Sequence, residues 1–188
     1  MVYDGRMVRL SLDPALSVLL GSCGALLFLS AALHKLTDRR RFTEVLAAYD
    51  LLPQAWVAAA SRTVPLLEAV TGLALLLPAT SRAAAVAASA LLLSYAAAIG
   101  VNLQRGRRDL TCGCGGPADR QPIAAWMVIR NVAVAALLGL AWLPRAERAL
   151  EFADLITIVC GAATAALIYL SVERLADSSR RLMAGRRP

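Results

Sequence analysis

The run from Ala15 to Leu33 holds nineteen residues and no charge. A helix of about 20 residues rises about 30 Å, the thickness of a hydrocarbon core. Four more apolar blocks follow: 56–78, interrupted by Arg62 and Glu68; 83–104, without charge; 122–144, containing Arg130; and 155–172. Apolar and polar residues do not alternate, so half-buried strands are excluded. A segment crossing lipid must satisfy its backbone groups internally, which a helix does. The blocks are also rich in Ala and Leu, good helix formers. The chain is 59% hydrophobic and its apolar residues come in long blocks, which marks a membrane protein. The expectation is an all-α, polytopic transmembrane bundle of five spans, a four-helix core plus one, forming a single integral membrane domain over 1–188. Gly21, Gly24, Gly72 and Gly139 are expected where helices pack closely. The first block exceeds the 7–15 residues or so of a signal-peptide core and is taken as a span.

Between the first two spans, Asp38 can cap a helix. Phe42, Val45, Leu46 and Tyr49 follow at helical spacing, with Arg39, Arg40, Arg41 and Glu44 off that face. This predicts a short interfacial helix lying on the lipid bilayer, ended by Pro53. A basic, frayed tail is expected over 173–188. The net charge of +7 does not point to nucleic acid, because the arginines flank apolar blocks and fit a topological signal. Lys35 is the sole lysine. With Arg39, Arg40, Arg41, Arg105, Arg107, Arg108, Arg120, Arg174, Arg180, Arg181, Arg186 and Arg187, it puts thirteen basic residues on one side. Arg6, Arg9, Arg82, Arg145 and Arg148 make five on the other. The asymmetry predicts a cytoplasmic side for the loop at 105–121 and an external N-terminus, in the bacterial cytoplasmic (inner) membrane.

Charges inside a bilayer need a partner or a cavity. Glu68 and Arg130, on spans two and four, lie at similar depth from that same side with opposite sign. They are expected to pair and face a cavity. The plainer alternatives are a purely structural lock between helices, or an Arg130 that reaches the headgroups. His34 and Lys35, at the end of span one, Asn102 and Arg105, at the end of span three, and Asn131 on span four converge toward the same end.

The loop itself reads DLTCGCGGPADR, with Cys112 and Cys114 flanking Gly113. Thiols react as thiolates, which Arg105, Arg107, Arg108 and Arg120 favour and Asp109 and Asp119 oppose. Glycines at 113, 115 and 116 let the chain turn tightly and leave the sulfurs accessible. A disulfide spanning one residue closes a small ring of poor geometry, the exchange-active kind. This favours thiol–disulfide exchange, with His34 as a local base. A metal site of two thiolates and His34 lacks the usual zinc spacing, and none is assigned. Idle loop cysteines are the bland alternative. Cys23 and Cys160 fall mid-span, as packing residues or a second thiol pair.

The segments LHKLTDRRRFTEVLAAYDLLP, VPLLEAVTGLALLLP, GVNLQRGRRDLTCGCGG and VIRN, in this order, resemble the MauE family, small membrane proteins grouped with the DoxX-like redox-associated proteins. The resemblance rests on His34, Lys35, Tyr49, Pro53, Pro65, Glu68, Gly72, Asn102, Arg105, Gly106, Cys112, Cys114, Arg130 and Asn131. One departure is visible. The family pattern reads Cys-x-Cys-Phe-Gly, whereas Gly115 precedes Gly116 here, so an aromatic cover is missing at that position. The resemblance implies a redox accessory role in maturing an enzyme of the methylamine dehydrogenase type, with a thioredoxin-like partner or the client redox enzyme itself. The expected function is a thiol–disulfide relay. Its rivals are a non-catalytic assembly factor and a module binding a quinone or another small molecule through Glu68 and Arg130.

Overall fold

The computed structural model describes residues 11–113, 121–144, 146 and 148–184. Cys114 to Arg120, the basic residues Arg6, Arg9 and Arg145, and the end of the tail lie outside the described residues. The described chain is helical: α1 Pro14–Thr37, α2 Arg39–Tyr49, α3 Gln54–Leu76, α4 Ser81–Gln104, α5 Ala125–Gly139 with a 3-10 turn at Leu140–Trp142, and α6 Phe152–Ala184. Five of these segments are long and apolar enough to cross a membrane. The protein is thus a multi-pass helical membrane protein, with α2 as the short sixth helix.

Local chemistry sets the boundaries. Asp13 caps α1, accepting from the Ala15 N–H at 2.8 Å, and Pro14 occupies the first turn, where its missing donor costs nothing. Asp38 ends α1 and starts α2, accepting from the Arg41 N–H at 3.2 Å. The expected short helix is present as α2, but it stops before Pro53. Asp50 takes a left-handed φ of 52° and ends it, and Pro53 instead precedes α3. The tail also differs from expectation, since α6 continues as helix to Ala184.

In the bundle α1 packs along α3, α3 along α4 and α4 along α5, while α6 packs against α1. The four-helix core plus one is therefore α1, α3, α4 and α5 with α6 outside. Close approach occurs at three of the four expected glycines. A Cβ at Gly21 would lie 3.1 Å from the Leu75 carbonyl oxygen, at Gly24 2.9 Å from Leu138, and at Gly72 2.9 Å from Leu29. Gly139 meets nothing within 4 Å and is not a packing contact.

The buried apolar residues form two clusters. One joins Ala25, Phe28, Leu75, Ala88, Leu92 and Leu138. The other joins Tyr49, Ile99, Cys112, Ile123 and Met127 below the cysteine loop. Along α4, Leu92 belongs to the first and Ile99 to the second, with Tyr95 between them.

Candidate functional site

An ion pair occupies that junction. The buried faces of α1 and α3 follow a helical stripe: Gly21, Gly24, Phe28, Ala32 and Lys35 on α1, and Ser61, Pro65, Glu68, Gly72 and Leu75 on α3. Because α1 and α3 pack together, the stripes meet and Lys35 Nζ pairs with Glu68 Oε1. The two side chains are only 4% and 1% exposed. The Tyr95 hydroxyl donates to the same carboxylate oxygen at 2.7 Å. Lys35 Nζ sits 5.3 Å from the centre of the Phe42 ring and 5.0 Å from that of Tyr95, so two aromatic faces flank the ammonium. Glu68 lies about 21 Å along α3 from Gln54, deep in the bundle. Its second oxygen, Oε2, is buried without a hydrogen-bond partner among the described residues.

This corrects the expected Glu68–Arg130 pair. The two lie at different distances into their helices, Glu68 about 21 Å into α3 from Gln54 and Arg130 about 8 Å into α5 from Ala125, and α3 packs on α1 and α4 whereas α5 packs on α4. The half-buried Arg130 lies against two aromatic faces instead, 5.2 Å from Trp126 and 5.7 Å from Tyr169 of α6, and donates to Asn131 Oδ1 at 3.4 Å. His34 is exposed on the outer side of α1, one residue and 100° from the buried Lys35, so it is not gathered into this centre.

The cysteine loop is a built structure. The Cys112 N–H donates to the Gln121 carbonyl at 3.2 Å and the Ile123 N–H to the Leu110 carbonyl at 2.8 Å, around an antiparallel bridge between Thr111 and Pro122. The Tyr49 hydroxyl donates to the Cys112 carbonyl at 3.2 Å. Burial pushes the Tyr49 phenol up to about 12, keeping it a neutral donor. Gly113 has a φ of +65°, and a Cβ there would strike Val45 Cγ1 at 2.6 Å, so glycine is required on both counts. Cys112 is disulfide-bonded. Cys23 and Cys160 are free, and the one other cysteine in the sequence is Cys114, which lies outside the described residues. Cys112 is buried, against the expectation of an accessible sulfur, and Tyr49 supplies an aromatic neighbour from α2.

The loop arginines fasten α2. Arg107 donates to the carbonyls of Ala48 at 2.6 Å and Tyr49 at 3.3 Å and to Asn102 Oδ1 at 3.3 Å, while Arg105 donates to the Asp50 carbonyl at 3.2 Å. They satisfy carbonyls that a helix C-terminus leaves open. Asn102 is fully buried and also donates to the Ala98 carbonyl. Asn131 is buried, with its Nδ2 lacking a partner among the described residues.

Sequence reasoning missed Tyr95, Phe42 as a cover for Lys35, and a second ionic cluster at the far end. There Arg148 holds Asp13 at 3.0 and 3.1 Å and Asp154 at 2.7 and 2.9 Å, joining the starts of α1 and α6. Hydrogen bonds from the Arg148 guanidinium, and then from the Ala15 N–H, hold the Asp13 carboxyl below its usual range.

Residues 13–144 match the family model described as methylamine utilisation protein MauE. The chain is 38% identical over 157 residues to the methylamine utilization protein MauE of Paracoccus denitrificans, covering 82% of this chain and 84% of that one. It is 32% identical over 163 residues to the protein of that name from Methylophilus methylotrophus, covering 86% of each. With the one from Paracoccus versutus it shares 36% identity over 164 residues, covering 87% and 88%. No solved structure matches.

Proposed function

Because the chain belongs to the MauE family, we propose that it serves methylamine utilisation as a membrane thiol–disulfide relay acting through Cys112 and Cys114. One observation carries the mechanism: Cys112 is disulfide-bonded inside a loop whose turn, bridge and helical cover are all built around it. A structural staple would tie distant elements together, whereas Cys112 and Cys114 are two residues apart in sequence. In the relay, a thiolate of a partner dithiol attacks one sulfur and forms a mixed disulfide. The partner's second thiolate then displaces the cysteine. Two electrons and two protons pass from the partner to Cys112 and Cys114, and a thioredoxin-like disulfide restores them. The client is an enzyme of the methylamine dehydrogenase type. The arginine asymmetry supports a cytoplasmic position for the loop, in the inner membrane.

The test is trapping. Cys112→Ser and Cys114→Ser should each abolish function, and one of them should accumulate a higher band on non-reducing gels that dithiothreitol dissolves. Full activity of the double-serine variant sinks the relay. It would leave the second reading, a small-molecule module, which the buried Glu68 Oε2, without a partner among the described residues, favours.

A further inference from the structure

We infer that Glu68 Oε2 and Asn131 Nδ2 are the two ends of a buried site for one neutral hydroxyl group, carried by water or by a hydroquinone dissolved in the bilayer. The inference deepens the small-molecule reading by naming the group bound. It does not rest on the relay, since no cysteine takes part.

Both atoms belong to buried side chains, 1% exposed at Glu68 and 4% at Asn131. Each lacks a hydrogen-bond partner among the described residues. They are complementary, because Oε2 accepts and Nδ2 donates. The other end of each side chain is engaged. Glu68 Oε1 holds Lys35 Nζ and the Tyr95 hydroxyl, and Asn131 Oδ1 accepts from Arg130 at 3.4 Å. That last bond orients the amide and makes Nδ2 its open end.

Contacts, rather than helix starts, set the register between α3 and α5. A Cβ at Gly24 of α1 would meet Leu75 of α3 at 3.0 Å and Leu138 of α5 at 2.9 Å, so the two leucines lie at one level. Glu68 and Asn131 each stand seven residues before them. Seven residues are about two turns, about 10.5 Å, and return to the same face within about 20°. The helices α3 and α5 run in the same direction, since each packs along α4 and the chain reverses between them and it. Glu68 and Asn131 therefore share a level and a buried face, toward the cysteine-loop end. A second contact agrees. Ser89 Oγ of α4 donates to the Ala135 carbonyl of α5 at 2.9 Å. Toward the same end, Tyr95 lies about 9 Å beyond Ser89 and Asn131 about 6 Å beyond Ala135, and the Tyr95 hydroxyl reaches Glu68. Near this level α1 and α4 contribute the buried alanines Ala32 and Ala96, which bring no polar side chain.

The ligand group follows from these needs. It must donate to Oε2 and accept from Nδ2, and a hydroxyl does both through one oxygen. Lys35 already balances the charge of Glu68, so a cationic ligand would leave net positive charge inside the bilayer. Water commonly bridges buried polar groups that the protein leaves unpaired. A hydroquinone presents the same hydroxyl and reaches this depth through lipid.

The test is thermal unfolding of the full chain in lipid nanodiscs. Asn131→Leu is close in shape and has no polar side-chain atom. If Nδ2 is bridged, the change should lower the melting temperature by about 2–4 °C, the effect of losing about one hydrogen bond. If Nδ2 is simply unpaired, the change should raise it. In the Lys35→Met, Glu68→Leu background the acceptor is gone, and Asn131→Leu should no longer lower the melting temperature. Decylubiquinol distinguishes the sources. A hydroquinone site gives a rise in wild-type melting temperature that grows with decylubiquinol and is absent from Asn131→Leu. Bound water gives no such rise, but an infrared O–H stretching band that shifts in oxygen-18 water and is missing from Asn131→Leu. The inference is overturned if Asn131→Leu melts at or above wild type, or if its loss is equal in both backgrounds, which would assign it to the Arg130 contact. Should Asn131→Leu fail to accumulate, wild type decides alone: neither a decylubiquinol rise nor an oxygen-18-sensitive internal band overturns the site. A decylubiquinol rise abolished by Glu68→Gln but not by Asn131→Leu would keep a small-molecule module and overturn this site within it.

Discussion

Two ionic clusters sit in opposite halves of this protein, built from similar groups under opposite conditions. At the Arg148 end the two carboxylates bound to Arg148 are well supplied with donors. Asp13 takes bonds from Arg148 and the Ala15 N–H, and Asp154 from Arg148 and the Glu151 N–H. Arg148 and Asp13 remain 39% and 49% exposed. At the Lys35 end the groups are almost sealed from solvent, yet Glu68 uses one carboxylate oxygen and the other has no partner among the described residues. The exposed cluster is over-satisfied and fastens the starts of α1 and α6. The buried one is under-satisfied and lies beneath a helix attached to a disulfide. Groups kept short of partners in a membrane interior mark function, whereas saturated surface clusters mark assembly.

The sharpest way to break this contrast is to remove half of the buried pair. Glu68→Gln leaves a buried ammonium without its counter-charge, and Lys35→Met leaves the carboxylate. Each should cost about 3–5 kcal/mol, the range for broken buried pairs in soluble proteins, or somewhat less in a membrane. The double change Lys35→Met with Glu68→Leu should recover most of that loss in thermal unfolding in detergent. If the single costs merely add, the two residues are not coupled and the contrast between the clusters disappears.

Much of the architecture was visible in the sequence because hydrophobic block length sets helix span. The stripe Phe42, Val45, Leu46 and Tyr49 likewise gave α2 away. Neither the distance of a residue into its helix nor the order of helices around the bundle was legible, since Glu68 lies about 21 Å into α3 and Arg130 about 8 Å into α5. Glu68 was therefore matched to Arg130, although α3 packs on α1. A signal for the true partner existed, since Gly21, Phe28 and Lys35 recur every seven residues on one face, whereas His34 falls off it. Tyr95 carried no signal: one aromatic in an uncharged block does not reveal which carboxylate it will meet. The Asp13–Arg148 contact joins residues 135 apart and depends on the chain's return path, which no local pattern encodes.

Between the two clusters in expected effect stands a buried contact without charge. Tyr49→Phe removes the donor to the Cys112 carbonyl and should cost about 1 kcal/mol, well below the loss of Glu68. It also has a pH signature. The folded phenol titrates near 12, above its ordinary value of 10, so its contribution is whole below pH 10 and fades as pH rises through 12. Wild type minus Tyr49→Phe should therefore shrink across that window. A flat difference would mean that Tyr49 is not held neutral by burial.

The smallest effect is expected at the exposed cluster. Arg148→Gln removes the hub of three charges and keeps a polar side chain in its place. Solvent screens these groups, and exposed pairs contribute little even with good geometry. The variant should therefore melt close to wild type at moderate salt, with a small deficit at low ionic strength that closes as salt is added. Acid should erase the deficit too. Hydrogen bonds from Arg148 hold the Asp13 carboxyl below its ordinary range, so the stabilisation is present above about pH 4 and is lost as pH falls through the depressed folded value. A salt-independent loss as large as that of Glu68→Gln would contradict this ordering. It would mean that the starts of α1 and α6 depend on this clamp as heavily as the bundle interior depends on Lys35 and Glu68, and that exposure does not separate the two clusters.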